Sequence, residues 1–463
     1  MDATSFQLEL TRLGDELKVP GVSAGVLIGG DEHYAFHGVT SVENPLPVDG
    51  ETLFQFGSTG KTFTSTAIMV LVEQGKASLS EKVRTYVPEL VLRDEDVARE
   101  VTVLQLLNHT AGWEGDMMDD TGEGDDALAR YVEKMADLQQ VSPLGAVVSY
   151  NNASLSLAGR VIEKVTGKTY EQAVRDLLLD PLELDHTFFF PNEIMTHRFA
   201  VGHHMKDDKA EVVRPWGMSR GGSPAGGLSA NARDQLAWAR FHLGDGTARN
   251  GTRILSHESL AAMQQPTADM VGSALGDYLG ISWLMRDVDG VRVVAHGGTM
   301  IGQHSDFVLV PERDFAVIVM CNSDPNGPEL NKLLVKWALK AYLGVDDADP
   351  IGIQLPPEEL SPYLGTFETI AAWVRVEPVD GRLALNVEMK PEMMEKMAAM
   401  GEDVGDGTQT IVVEIQATNR DRYIVSEGPA QGMTGFFARD GDSAVTGINV
   451  GGRFATRAGV AAS

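Results

Sequence analysis

The chain has 463 residues, 43% of them hydrophobic and 22% charged, with 38 basic against 66 acidic side chains and a net charge of −28. That length buries a full core and leaves room for more than one domain, while the negative excess argues against nucleic acid or an anionic membrane as a partner. The single cysteine, Cys321, excludes an internal disulfide and lies in the apolar run 316–321, where it reads as a buried core thiol.

The opening residues, Met-Asp-Ala-Thr-Ser-Phe, show no basic or apolar leader pattern, and no run of 18 apolar residues occurs, so a cytoplasmic location is expected. Residues 4–17 have a helical period. Residues 21–29 and 33–41 read as strands about the turn Gly30-Asp31-Glu32. A helix over 59–75 is apolar on nearly all sides and stops at Gly75, which predicts burial at the centre of a domain. A further helix covers 153–166. Strands follow at 291–296, 304–310 and 314–320, the last two joined by Pro311-Glu312-Arg313-Asp314, then a helix at 328–343. Strands at both ends with helices between them predict an α+β unit, an antiparallel sheet flanked by helices, over residues 1–345.

Residues 346–358 are rich in Asp and Pro and read as a linker. Over 359–463 short alternating runs, such as Trp373-Val374-Arg375-Val376, are separated by turns such as Asp380-Gly381 and Asp440-Gly441. This predicts a small antiparallel β sandwich or barrel, with a short Met-rich helix near 393–400. The linker predicts that the part ending near Leu343 folds alone.

Three short segments carry chemistry. In Ser58-Thr59-Gly60-Lys61, at the start of the buried helix, i and i+3 share a face, so the hydroxyl and the amine can meet. A serine becomes a nucleophile once a neighbouring base takes its proton, and burial lowers a lysine into that range. Tyr150-Asn151-Asn152 precedes the helix at 153–166; a phenol can relay a proton and an amide can hold a lysine or a substrate. His296-Gly297-Gly298-Thr299 ends a strand, where glycines admit a substrate backbone. The Thr299 and Ser58 amides could together hold an oxyanion. Each segment alone also fits a structural role: an N-cap, a loop tyrosine, a strand-end histidine.

Together, in this order, they resemble the Ser-x-x-Lys, Tyr-x-Asn and Lys/His-x-Gly elements of the penicillin-recognising serine hydrolases. The resemblance spans roughly residues 5–345 and is to the branch holding class C β-lactamases, D-Ala-D-Ala carboxypeptidases, D-aminopeptidases and related esterases. Leu106-Leu107-Asn108-His109-Thr110-Ala111-Gly112 and Pro224-Ala225-Gly226-Gly227-Leu228 are similar to two further landmarks. The resemblance implies a transpeptidase-like fold with a helical insert over about 80–290. It implies Ser58 as nucleophile, Lys61 and Tyr150 as proton carriers, and Asn152 on Lys61 and the acyl side chain. It further implies His296 positioning the substrate and its carboxylate, Gly297 and Gly298 admitting substrate, and Thr299 with Ser58 in the oxyanion hole. Tyr363-Leu364-Gly365-Thr366-Phe367 with Asp380-Gly381-Arg382-Leu383 resembles the opening of a lipocalin-like domain appended to some members.

Class C β-lactamases have lysine where this chain has His296, which implies β-lactam hydrolysis only as a weak side activity. The expected substrates are small peptides or amides, including ones with D-residues. A carboxylesterase on small acyl esters and a non-catalytic penicillin-sensing protein are the alternatives. No cofactor or metal is expected: no His-Glu-x-x-His or paired-cysteine spacing is present. The glycines at 221, 222, 226 and 227 lack the Lys-Ser/Thr of a phosphate loop. A homo-oligomer is left open.

Overall fold

The computed structural model describes residues 2–117, 119–207, 209–217, 219–399, 405–428, 430–440 and 444–459. Helix α1 (Ala3–Glu16) begins at Asp2, whose carboxylate accepts the Ser5 N–H and so satisfies one free helix-end donor. Strands β1 (Gly21–Ile28) and β2 (Asp31–Gly38) form a hairpin. Next come the buried helix α2 (Lys61–Glu73), α3 (Asn152–Thr166) and α4 (Ala232–Leu243). Strands β3 (Ala268–Ser273), β4 (Gly276–Leu279), β5 (Leu284–Val288), β6 (Val291–Met300), β7 (Gln303–Val310) and β8 (Phe315–Cys321) precede helix α5 (Asn326–Ala338).

These strands make one antiparallel sheet in the order β2-β1-β8-β7-β6-β5-β4-β3, with Val22 opposite Cys321 joining the chain's early strands to its later ones. In β8 every residue is buried. Phe315, Val317, Val319 and Cys321 pack with α1 and α5, while Ala316, Ile318 and Met320 pack into the core of α2 and α4. A strand covered on both faces is apolar throughout, as this one is. Burial raises the Cys321 thiol to about 12, so it stays protonated and inert.

One expectation is corrected here. The insert is not helical over 80–290: its helices end at Met263, and β3, β4 and β5 extend the main sheet. Their residues alternate weakly and are broken by Gly272, Gly276 and Gly280, because this edge packs partly against other chain segments and not against one continuous core.

The C-terminal strands are β9 (Gly352–Ile353), β10 (Gly365–Glu368), β11 (Ala372–Val379), β12 (Arg382–Met389), β13 (Thr408–Gln416), β14 (Arg422–Val425), β15 (Thr434–Asp440), β16 (Ala444–Val450) and β17 (Arg453–Arg457), with helix α6 (Pro391–Ala399) between β12 and β13. They run β13-β12-β11-β10-β17-β16-β15-β14, and β14 returns to pair with β13, closing an eight-stranded antiparallel barrel. Closure removes the sheet edges. Gly352 and Ile353, within the stretch read as a linker, pair with Gln416 and Ile415 and so belong to the barrel sheet. Asp380 and Gly381 both have positive φ, as a two-residue hairpin of that twist requires. Gly441 and Met400, part of the expected turn and helix, lie outside the described residues.

The barrel touches both the sheet and a helix. Thr434 of β15 donates to the Ser273 carbonyl of β3 (3.0 Å), Lys332 of α5 donates to the Gln431 carbonyl (2.9 Å), and Arg286 of β5 pairs with Asp347 in the connecting segment. Among the described residues no helix is long and apolar enough to cross a membrane.

Candidate active site

Ser58 sits in a single 3-10 turn, Gly57–Gly60, that runs into α2. Gly57 has a φ of +53, and a Cβ there would lie 2.8 Å from the Thr299 nitrogen. The turn is therefore pressed against the end of β6, and only glycine fits. Hydrogen bonds fasten it. Thr59 donates to the His296 carbonyl (3.1 Å), Ser305 to the Phe56 carbonyl (2.8 Å), and the Gln55 N–H to Gln303 (3.1 Å). Behind it, Phe63 stacks on Trp238 with centroids 3.9 Å apart; burying such a ring contributes about 1.5–3 kcal/mol. These contacts fix the first turn of α2, and with it the side chain of Lys61.

Lys61 is fully buried, with Nζ 3.0 Å from Ser58 Oγ and 2.7 Å from the Ala225 carbonyl that accepts from it. Burial, and then the positive charge of Arg453, holds its pKa well below 10.5. A lysine whose pKa is lowered toward the working range can take a proton from a neighbouring serine hydroxyl when it is deprotonated. The Tyr150 hydroxyl hydrogen-bonds Ser58, and burial pushes the phenol above its usual range. The Tyr150 ring lies 4.8 Å from Lys61 Nζ and 4.6 Å from the His109 ring, whose Nδ1 accepts the Asn151 N–H. The two sequence landmarks thus have physical positions: His109 backs the tyrosine, and Ala225 holds the lysine.

Asn152 differs from expectation. Its Nδ2 donates to Asp116 Oδ1 (2.8 Å), not to Lys61, whose place the Ala225 carbonyl fills. His296 is 1% exposed, with Nδ1 2.6 Å from the Gly297 carbonyl. That bond puts the ring proton on Nδ1 and leaves Nε2 as a lone pair with no partner. Burial, then Lys61, lowers its pKa to about 3. The ring is neutral near neutrality and has no charge to offer a carboxylate. Gly298 faces the Ser58 turn so closely that a Cβ would collide with the Phe56 carbonyl and lie 2.8 Å from the Ser58 nitrogen. Gly297 is half-buried beside it and Thr299 is exposed.

Two residues went unseen in the sequence. Arg453, the first residue of β17, pairs with Asp116 through Nε (3.0 Å) and Nη2 (3.2 Å), and its guanidinium lies 4.9 Å over the Tyr150 ring. Burial alone would raise the Asp116 pKa, but Arg453 and Asn152 hold it below the ordinary carboxylate range. The β16–β17 turn that delivers Arg453 also gives its Gly452 carbonyl to the Tyr150 N–H (2.9 Å), and the Phe454 N–H donates to Ser149 Oγ (3.1 Å). Gly451 and Gly452 both have positive φ, the backbone of a tight hairpin tip. The tip of a barrel hairpin is thus one wall of the site. His203, by contrast, is structural: its Nδ1 bonds the Asn322 carbonyl and its Nε2 accepts the Val42 N–H.

A partly exposed serine beside a buried lysine and tyrosine, at the mouth of a central helix, is equipped for acyl transfer. The description of the family whose model matches residues 7–341 is Beta-lactamase. The chain belongs to that family, a family of serine hydrolases. It is 36% identical over 382 residues to penicillin-binding protein 4 of Amycolatopsis lactamdurans, covering 79% of this chain and 98% of that one. The solved structure of SurE superposes with a TM-score of 0.78 at 25% identity over 98% of this chain and 99% of that one. A class C β-lactamase from Rhodobacter sphaeroides shares the fold over 73% of this chain and 99% of its own, with a TM-score of 0.60 and 24% identity. The family model ends before the barrel begins, whereas SurE is matched through it.

Proposed function

We propose that this protein hydrolyses small peptides or amides, D-residue peptides among them, through an acyl-enzyme on Ser58. The observation that carries the reading is the 3.0 Å approach of a buried Lys61 amine to Ser58 Oγ with the Tyr150 hydroxyl on the same serine. In this reading Lys61 takes the serine proton and Ser58 attacks the carbonyl. The backbone amides of Ser58 and Thr299 hold the oxyanion, and Tyr150 protonates the leaving group as the Lys61 ammonium returns a proton to it. Water then releases the acyl group. Asn152 acts through Asp116, and Gly297 and Gly298 leave room along β6 for the substrate. Histidine in place of lysine at the third element, His296, favours amides over esters by the resemblance to the peptidase side of the family. Esters of small acids are the second reading.

The test is a pair of rates, for a D-alanine anilide and a short-chain nitrophenyl ester, with the natural chain and Ser58→Ala. Anilide cleavage that disappears in Ser58→Ala is expected. Ester cleavage alone would make the protein an esterase, and no Ser58-dependent turnover of either would leave a sensor.

The charge states predict the pH profile. Lys61 works as a base only when deprotonated, and the depressed pKa means that this happens well below 10.5. The Tyr150 phenol, raised by burial, stays protonated through neutrality. Arg453 and Asp116 face the pair as a fixed ion pair, and His109 and His296 are neutral. So kcat/KM should rise with pH along one limb and level off before the alkaline range. A limb still climbing toward 10.5 would show Lys61 to be a charged lysine in the free protein.

A further inference from the structure

The two glycines before Thr299 solve one problem and create another. Gly298 has to be bare because the Ser58 turn lies against it. Glycine at both 297 and 298 also leaves this end of β6 without side chains to hold it and with the freest of backbones. Yet the amide that follows has to keep its aim if it is to serve beside that of Ser58. An oxyanion donor has its full effect only when its direction is set in advance. Some other contact must therefore hold Thr299, which is itself exposed.

Side chains alternate across a strand. Gly298 faces the Ser58 turn, so Thr299 projects from the reverse face, as does Gly297, where a Cβ would meet the Asp306 carboxylate. The register partner of Thr299 on β7 is His304. The Thr299 hydroxyl lies 3.2 Å from His304 Nδ1, and His304 Nε2 lies 3.2 Å from Asp324 Oδ1. The direction of both bonds follows from the carboxylate. Burial alone would raise the Asp324 pKa, but the hydrogen bond from His304 holds it below the ordinary range, so Asp324 only accepts. In the neutral ring Nε2 then carries the proton, Nδ1 is the lone pair, and the Thr299 hydroxyl donates to it. The His304 side chain is 8% exposed, and its ring lies against the first turn of α5, 3.5 Å from where a Cβ on Gly327 would stand. Asp324 is fixed in turn. Its N–H donates to the His203 carbonyl (3.0 Å), its carbonyl accepts the Met205 N–H (2.8 Å), and His204 Nδ1 stands 3.5 Å from its second carboxylate oxygen. Thr299, His304 and Asp324 thus tie an exposed strand end to a backbone clamp on a separate segment.

We propose that His304, seated on Asp324, is a positioning residue that aims the Thr299 amide at the oxyanion from the reverse face of the sheet. This rests on the acyl-enzyme reading above, in which that amide is an oxyanion donor. His304 touches no reacting atom. It accepts the Thr299 hydroxyl proton and so fixes χ1 of a β-branched side chain, which leaves the backbone of that residue few ways to turn. The glycines let the strand approach the nucleophile, and the histidine behind them restores the stiffness they give up.

Full-length protein carrying Thr299→Val, His304→Ala or both is compared with the natural chain, using whichever of the anilide and the nitrophenyl ester is turned over. Each single change should lower kcat about 10- to 100-fold and leave KM within about threefold, because a misaimed donor is felt in the transition state. Thr299→Val keeps the amide and the branched shape and removes the hydroxyl. Thr299→Ser, which returns the hydroxyl, should recover most of the rate that Thr299→Val loses. The double variant should be slower than the worse single variant by no more than about threefold, since both changes break one chain of contacts. Phenylboronic acid bonds to Ser58 Oγ through boron and places an oxygen where the oxyanion forms, so its affinity should fall with kcat. A histidine that served stability alone would lower the melting temperature and leave kcat and boronate affinity of the folded protein unchanged. Should His304→Ala not fold, Thr299→Val at the exposed strand end gives the same reading. A kcat within about threefold of the natural chain in Thr299→Val, a loss seen in KM alone, or losses that multiply in the double variant would overturn the proposal. Absence of Ser58-dependent turnover in the natural chain would strike the acyl-enzyme reading itself, and the positioning role with it.

Discussion

Lys61→Ala should slow acylation of Ser58 by about 10³-fold or more while leaving the chain folded. In the proposed mechanism the amine that touches Ser58 Oγ is the base, and its neighbours are poorer candidates. Tyr150 is a phenol pushed above its usual range, and His109 and His296 are neutral rings whose Nδ1 atoms are engaged by backbone. The fold should tolerate the change because the amine is a costly thing to bury. Its replacement loses one hydrogen bond to the Ala225 carbonyl but also relieves a desolvated polar group. The measurement is the rate of covalent labelling by a serine-directed phosphonate, followed by mass, beside a thermal melt. Labelling within a few-fold of the natural rate would place the base elsewhere, with Tyr150 the remaining candidate.

How much of this was legible beforehand depends on how local each signal is. The Ser58–Lys61 pair, the buried helix around it and the apolar run of β8 are written in contiguous residues, and each follows from a single period or spacing. The barrel was legible as alternation and turns, for the same reason. Asp116 and Arg453 were not, because their pairing spans 337 positions and neither has a local pattern that marks it. Gly451-Gly452-Arg453 read alone is a hairpin tip and nothing more. Only the closure of the barrel and its seat on the sheet bring that tip to Tyr150. The three strands β3, β4 and β5 were missed for a related reason: an edge packed by parts of two structural units shows no clean two-residue alternation. His296 illustrates a third limit. Its identity was plain, but its charge depends on burial that only the packed sheet supplies.

Gly298→Ala should cost about 10²- to 10³-fold in activity, the size expected when one oxyanion donor or the nucleophile turn is displaced. An added methyl group would run into the Phe56 carbonyl, an oxygen already accepting from Ser305, and would lie 2.8 Å from the Ser58 nitrogen. Both neighbours are backbone, so neither can swing aside as a side chain would. Relief must come from moving β6 away from the 57–60 turn, and that movement also parts the Thr299 amide from the Ser58 amide. The comparison that isolates this effect is Gly297→Ala. There the nearest atoms are the Asp306 carboxylate at 3.3 Å and the Ser305 carbonyl at 3.4 Å, a crowding that small shifts absorb. Activity should therefore fall steeply for Gly298→Ala and by much less for Gly297→Ala, with similar melting temperatures for the two. If Gly298→Ala kept most of its activity, the strand and the turn would be able to separate without consequence. The oxyanion would then have to be held by groups other than the amides of Ser58 and Thr299.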